Sequence, residues 1–181
     1  MELIEKTLTQ KYVYEGKIIN TRVDTALLSN GKECKREVVE HPGGVTVAAL
    51  TENDELLLVR QFRYPYSEVV LELPAGKLEK GEDPFEAGKR ELREETGAIA
   101  AEYFNLGKFY PTPGYCGEII YIYAAKDLSF TNLDLDEDEF LEVEKIPLEK
   151  CVEMVLNNEI PDGKTQAGIM KVALLKQKGI M

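Results

Sequence analysis

With 181 residues, 44% of them hydrophobic, the chain can bury one substantial core but hardly two, so a single domain with an N-terminal extension is expected. Its 33 acidic residues against 22 basic ones, a net charge of -11, argue against a nucleic-acid backbone or an anionic membrane surface as the main partner. No apolar run approaches the ~18 residues of a membrane span, and the opening MELIEKTLTQ lacks the basic start and apolar middle of a signal peptide, so a cytoplasmic protein is expected.

From Tyr12 to Glu40 the pattern is strand-like, in VYEGKII, RVDTALL and KREVVEH, with breaks at Glu15-Gly16 and at the hairpin signal Asn30-Gly31. This stretch reads as a small antiparallel sheet. Cys34, with Cys116 and Cys151 further on, belongs to no C-x-x-C pair, so three reduced structural thiols are expected. His41 is the only histidine, and it precedes Pro42-Gly43-Gly44; a serine or cysteine nucleophile system would have to use it and no G-x-S-x-G is present, zinc sites built on two or three histidines cannot be assembled, and His41 reads as a loop residue. VTVAAL, ELLLVRQFRY and EVVLELPAG follow as strands, then a helix, then the strands YFNLGKFY and EIIYIYAA. LEKCVEMVLNN and TQAGIMKVALLKQK carry apolar residues at helical spacing and close the chain as two helices. Just before the last of them, Gly163-Lys164-Thr165 ends like a phosphate-binding P-loop, but Asn158 stands where the earlier glycine is needed, and the motif fails. Strands with helices packed on them make an α/β sandwich.

The central helix is punctuated at both ends. Asp83 suits an N-cap, Pro84 the first helical position, Glu86 the third position of a capping box, and Gly97 a left-handed C-terminal residue, which predicts a helix over Pro84–Thr96. Phe85, Ala87, Gly88 and Leu92 make its inward face, the small residues allowing close approach to a sheet. Glu91, Glu94 and Glu95 share another face at spacings of three and four. Helix electrostatics does not explain them: carboxylates oppose the macrodipole at a helix C-terminus, and like charges at this spacing cost ~0.2–0.5 kcal/mol each. The ordinary fate of such residues is a solvated acidic face. Carboxylates this close raise one another's pKa unless cations neutralise them, and an all-oxygen cluster suits Mg²⁺ or Mn²⁺.

The flanking spacing gives the second alternative a name. GKLEKGEDPFEAGKRELREETGA places Gly76, Glu82, Arg90-Glu91, Glu94-Glu95 and Gly97 as they stand in the Nudix box, which it resembles at every fixed position, departing only at Ala98, where a larger aliphatic is usual. That resemblance implies a Nudix α/β/α sandwich with a mixed sheet, beside the small N-terminal antiparallel β-sheet, and hydrolysis of a nucleoside diphosphate linked to another group. It implies Glu91, Glu95 and the Ala75 carbonyl as metal ligands, with Glu94 beside them in the catalytic set.

Residues outside the box address the substrate. Pro113 lies 15 residues beyond Ala98 in YPTPGYCGE, and KREVVEHPGGV, VRQFRYP and LELPAG stand in an order similar to the ADP-ribose pyrophosphatase branch of the family. This resemblance implies that Arg36 and Glu37 reach substrate from a neighbouring subunit, and that Arg63, Lys77, Thr112, Pro113, Gly114 and Glu118 line the ADP-ribose site. Where the branch often has an aromatic after Tyr-x-Gly, this chain has Lys17 and Ile18. In the acidic run LDLDEDEFLEV, which is either a solvated loop or the branch's catalytic loop, the resemblance makes Glu137 the general base and Glu139 a further metal ligand. The expected reaction converts ADP-ribose to AMP and ribose 5-phosphate. The expected assembly is a homodimer, with residues 1–42 a dimerisation sheet exchanged between subunits and 43–181 the Nudix domain. Another nucleotide sugar or nucleoside diphosphate derivative as substrate, or a non-catalytic ADP-ribose-binding regulator, stands as the alternative.

Overall fold

The computed structural model describes residues 3–135 and 140–181. The chain forms two compact units, Met1–Gly43 with Tyr110–Ile119, and Gly44–Phe109 with Ile120–Met181.

The first unit is built on one antiparallel sheet in the order β1 (Lys6–Glu15), β2 (Asn20–Leu27), β3 (Glu33–Glu40). The Asn30-Gly31 turn forms as its residues dictate: Gly31 takes φ 80, and the Leu28 N–H donates to the Lys32 carbonyl at 2.9 Å. The first strand begins six residues before the Tyr12 that marks the onset of β-like sequence. Its early half, KTLTQK, has too few apolar residues to announce a strand, and every residue of β1 is exposed. Tyr110–Ile119 is tied to β3 by the Val39 N–H, which donates to the Tyr115 carbonyl at 2.8 Å, and by the Gly117 N–H, which donates to the Val39 carbonyl at 2.9 Å.

The second unit holds two sheets. One runs β7 (Ala75–Lys77), β4 (Gly44–Ala49), β9 (Ile120–Phe130), β8 (Ala98–Phe109); the other runs β10 (Leu141–Pro147), β5 (Glu55–Arg63), β6 (Glu68–Glu72). Pairing of β4 with β9 is parallel while β4 with β7 and β8 with β9 are antiparallel, so the sheet is mixed. β4 is buried along its whole length, as a strand covered on both faces must be. Val45, Val47 and Ala49 point to the core under helix α1 (Pro84–Thr96) with Ala87 and Leu92. Ala48 points the other way, into a core with Cys151 of α2 (Leu148–Leu156) and Ile169 and Val172 of α3 (Gly163–Gln177). Helices on both faces make the expected α/β/α sandwich. Burial pushes the Cys151 thiol up to about 11, which keeps it an inert core group. Among the described residues no helix is long and apolar enough to cross a membrane.

One predicted strand divides. EVVLELPAG breaks at Leu73-Pro74, because β6 pairs with β5 and β7 pairs with β4, and the chain changes sheets between them. Pro74 lacks a donor, and its carbonyl accepts from the Val47 N–H at 3.0 Å and the Thr46 hydroxyl at 2.9 Å, which fixes the crossing point just ahead of Ala75.

Candidate active site

The register of α1 is set at both ends. The Asp83 carboxylate accepts from the Phe85 N–H at 2.9 Å and the Glu86 N–H at 3.2 Å, and Gly97 closes the helix at φ 68, its N–H donating to the Arg93 carbonyl at 2.8 Å. Glu86 does not complete a capping box; it is exposed and pairs with Lys89. Ala87, Gly88 and Leu92 face the sheet as expected, while Phe85 lies half-buried with its ring edge-on to Tyr103 at 5.3 Å.

With the register fixed, Glu91 and Glu95 face β7 and are buried, at 8% and 2% exposure. The Ala75 N–H donates to Glu95 Oε2 at 2.9 Å. A Cβ on Gly76 would lie 1.9 Å from the Glu91 carboxylate carbon, so the bare glycine backbone makes the space in which that carboxylate sits. Of the residues expected to share a metal, Ala75 lies on one side and Glu91 and Glu95, a helical turn apart, on the other, with Gly76 making the room between them.

Arg90 gathers the remaining acids. Its guanidinium donates to both Glu82 oxygens, at 2.9 and 3.1 Å, and its Nη1 lies 2.8 Å from Glu91 Oε1 and 2.9 Å from Glu94 Oε2. Hydrogen bonding to Glu82 first, then the nearby charge of Glu91, drives the Arg90 pKa well above its ordinary value against the opposing effect of burial. The same pairing holds the Glu82 carboxyl below the usual range. Arg93 reaches Glu94 Oε1 at 3.3 Å. Glu82, Glu91 and Glu94 thus gather on Arg90, Glu94 is shared with Arg93, which also reaches Asp134 at 3.6 Å, and Glu95 sits on the Ala75 N–H, a set of oxygen donors of the kind a divalent cation takes. Among the described residues no three His, Cys, Asp or Glu side chains are gathered closely enough to hold an ion by themselves. The all-oxygen donors, two of them buried against a backbone cradle, fit such a cation with a further ligand. Glu139, expected in that role, and Glu137 lie outside the described residues.

Arg63, at the end of β5, donates from Nε to Glu72 Oε1 at 2.6 Å and from Nη2 to Glu72 Oε2 at 2.8 Å, and it feels the charge of Glu95. Lys77 is exposed at the end of β7. These belong to the second unit with Ala75, Glu91, Glu94 and Glu95.

The first unit holds the other residues expected near substrate. Arg36 and Glu37 are exposed on β3, and Arg36 forms a two-pronged pair with Glu5, at 2.9 and 2.7 Å. The Thr112 carbonyl accepts from the Tyr115 and Cys116 N–H groups, making a turn that exposes Pro113 and Gly114. Glu118 lies 3.4 Å from His41 Nδ1, which accepts from the Gly43 N–H at 3.1 Å; His41 is the loop residue its context suggests.

One group escaped the sequence entirely. Glu72, 2% exposed, takes Lys164 as well as Arg63, and Lys164 also reaches Asp162 Oδ2 at 3.0 Å. Burial pushes the Glu72 carboxyl up, but hydrogen bonds from Arg63 and the Lys164 charge outweigh it and leave it below the ordinary value. Gly163-Lys164-Thr165 is no phosphate loop. It is the first turn of α3, capped by Asp162, whose Oδ2 accepts from the Thr165 N–H at 2.9 Å. No local pattern joins Glu72 to a lysine 92 residues away.

Two family models match the chain in turn. Residues 40–166 match the model of the NUDIX domain, and residues 5–39 that of the nucleoside diphosphate sugar hydrolase N-terminal domain. A protein of Bacillus subtilis (strain 168) named ADP-ribose pyrophosphatase is 42% identical, over 97% of this chain and 98% of its own. One of Bacillus methanolicus, named methanol dehydrogenase activator, is 39% identical over 94% of this chain and 93% of its own. A crystal structure described as an ADP compounds hydrolase shares the fold, with a TM-score of 0.84 over 98% of this chain and 97% of that one, at 24% identity.

Proposed function

This chain belongs to the Nudix family, and we propose on that premise that it is a hydrolase cleaving the pyrophosphate of ADP-ribose to AMP and ribose 5-phosphate with Mg²⁺. The observation that carries the chemistry is the buried pair Glu91 and Glu95 against Ala75-Gly76. The choice of substrate is supported by the ADP-ribose pyrophosphatase of Bacillus subtilis, similar over nearly the whole of both chains.

The carbonyl of Ala75 and the carboxylates of Glu91, Glu95 and Glu139 would hold the metal. When bound, Mg²⁺ supplies Lewis-acid polarisation of the diphosphate oxygens and a more acidic water. Glu137 would accept the proton of the attacking water on a carboxylate oxygen, and Glu94, oriented by Arg90 and Arg93, completes the acidic face. Arg63 and Lys77 would bind the phosphates, the planar arginine fork suiting that contact. Pro113, Gly114, Thr112 and Glu118 would line the nucleotide and ribose, with Arg36 and Glu37 arriving from a partner subunit.

That last assignment entails a homodimer in which residues 1–42 are exchanged, with 43–181 as the catalytic domain. Its support is β1, exposed throughout and presenting Leu8, Tyr12, Val13 and Tyr14 to solvent, an apolar strip suited to burial against a second copy. Cytoplasmic work suits the three free thiols. The relative named methanol dehydrogenase activator supports a second reading, in which the chain regulates another enzyme. The test is purified protein with Mg²⁺ against ADP-ribose, ADP-glucose, NADH, diadenosine polyphosphates and nucleoside triphosphates, with products resolved. AMP and ribose 5-phosphate from ADP-ribose as the best substrate are expected. Preference for a triphosphate, or no turnover of any of them, would overturn the proposal.

A further inference from the structure

A carboxylate as buried as Glu72 is costly to hold, and an apolar pair of similar size would stabilise the fold as well. Its contacts indicate what the cost obtains. Arg63 is fixed by its Nε and Nη2, leaving Nη1 with no hydrogen bond to a described residue on a side chain 37% exposed. The guanidinium is thereby immobilised before any ligand arrives, within reach of the Glu95 charge, and its open edge is turned away from Glu72. Lys164, which Glu72 shares with Asp162, supplies a second cation to the same carboxylate and so helps keep the buried Glu72 ionised as an acceptor for both Arg63 nitrogens.

The anchoring also reaches the backbone. Thr165 Oγ1 accepts from the Leu73 N–H at 2.9 Å, so the first turn of α3 grips two consecutive residues, Glu72 and Leu73, immediately ahead of Pro74-Ala75-Gly76.

We propose that Glu72 is a positioning residue that clamps Arg63 against the substrate diphosphate, with Lys164 as the second cation that holds Glu72 ionised in its buried place. This rests on the assignment of Arg63 to substrate binding made above. Glu72 touches no substrate; it acts through Arg63.

The experiment is a double-mutant cycle on steady-state ADP-ribose hydrolysis at saturating Mg²⁺. Glu72→Gln raises KM about tenfold and changes kcat less than about threefold, because the carboxylates of α1 are untouched. Arg63→Ala raises KM at least as much, and Glu72→Gln combined with Arg63→Ala is no worse than Arg63→Ala alone. Should the lysine left buried by Glu72→Gln prevent folding, Glu72→Gln with Lys164→Met removes both charges and shows the same rise in KM. Circular dichroism verifies the fold of each variant. An unmoved KM in the folded Glu72 variants, or effects of Glu72 and Arg63 that multiply, overturns the proposal while leaving the hydrolase assignment standing. Wild-type protein that leaves ADP-ribose intact overturns that assignment and this proposal with it.

Discussion

Gly76 and Glu91 occupy one space: a Cβ on the glycine would stand 1.9 Å from the carboxylate carbon and 2.0 Å from Oε1. Neither can change without moving the other. Gly76→Ala is expected to push Glu91 out of its cradle or lift β7 from α1. Overpacking of this kind costs about 1–3 kcal/mol, while turnover should fall about 100-fold or more if Glu91 holds the metal as proposed. Thermal unfolding and kcat at saturating Mg²⁺ read the two effects separately, and near-normal kcat would show that the cradle does not matter.

Glu95→Gln is the complementary test. The amide oxygen can still accept from the Ala75 N–H, so circular dichroism and the thermal midpoint should stay close to wild type while kcat falls at least about 100-fold. Titration calorimetry should show weakened Mg²⁺ binding. Full turnover at saturating Mg²⁺ would remove Glu95 from the metal-binding set.

For the general base, the expected signature is a split between kinetic constants. Glu137→Gln should lower kcat by about 100-fold or more with KM and metal affinity little changed, the pattern of an interaction made only in the transition state. A loss of that form in Glu139→Gln with none in Glu137→Gln would move the base two residues along the run.

Much of this was legible in the sequence, and the limit has a physical cause. α1 could be placed to the residue because Asp83, Pro84 and Gly97 act through hydrogen bonds and dihedrals within one turn. The same holds for the hairpin at Asn30-Gly31. Ambiguity began where pairing with distant strands decides: EVVLELPAG reads as one strand, and only the competing partners β5 and β4 divide it. β1 was read short because KTLTQK has no apolar face of its own. The Glu72–Lys164 pair lay beyond any local rule, since what makes a charged residue burial-tolerant is a partner brought in by topology.

Subunit exchange is testable by complementation. Light scattering should give the mass of a dimer, and mixing separately inactive Arg36→Ala and Glu95→Gln subunits should restore activity, because a mixed dimer regains one intact site only if Arg36 works across the interface. A fully active monomer, or mixtures that recover nothing, would exclude the arrangement and leave the Arg36–Glu5 pair as a surface contact.

Acid should unmask Glu72. Its carboxyl is depressed in the folded protein, so its contribution is complete above the ordinary carboxylate pKa of about 4.3 and is lost as the pH falls through the lower folded value. Between about pH 5 and 3 the wild-type thermal midpoint should therefore drop more steeply than that of Glu72→Gln with Lys164→Met. Parallel curves would mean that Glu72 is not held ionised by Arg63 and Lys164.

The 92-residue span from Leu73 to Thr165 sets an order of assembly during synthesis. A chain leaving the ribosome can form α1 early, because its contacts are local, but β5 then waits with an open edge for β10, and the Ala75 crossing waits for α3. Until Leu141–Pro147 emerges, the nascent protein carries β5 paired with β6 on one side and open on the other, a sticky interval in which chaperone protection matters. The acidic helix is thus able to form well before it can become useful.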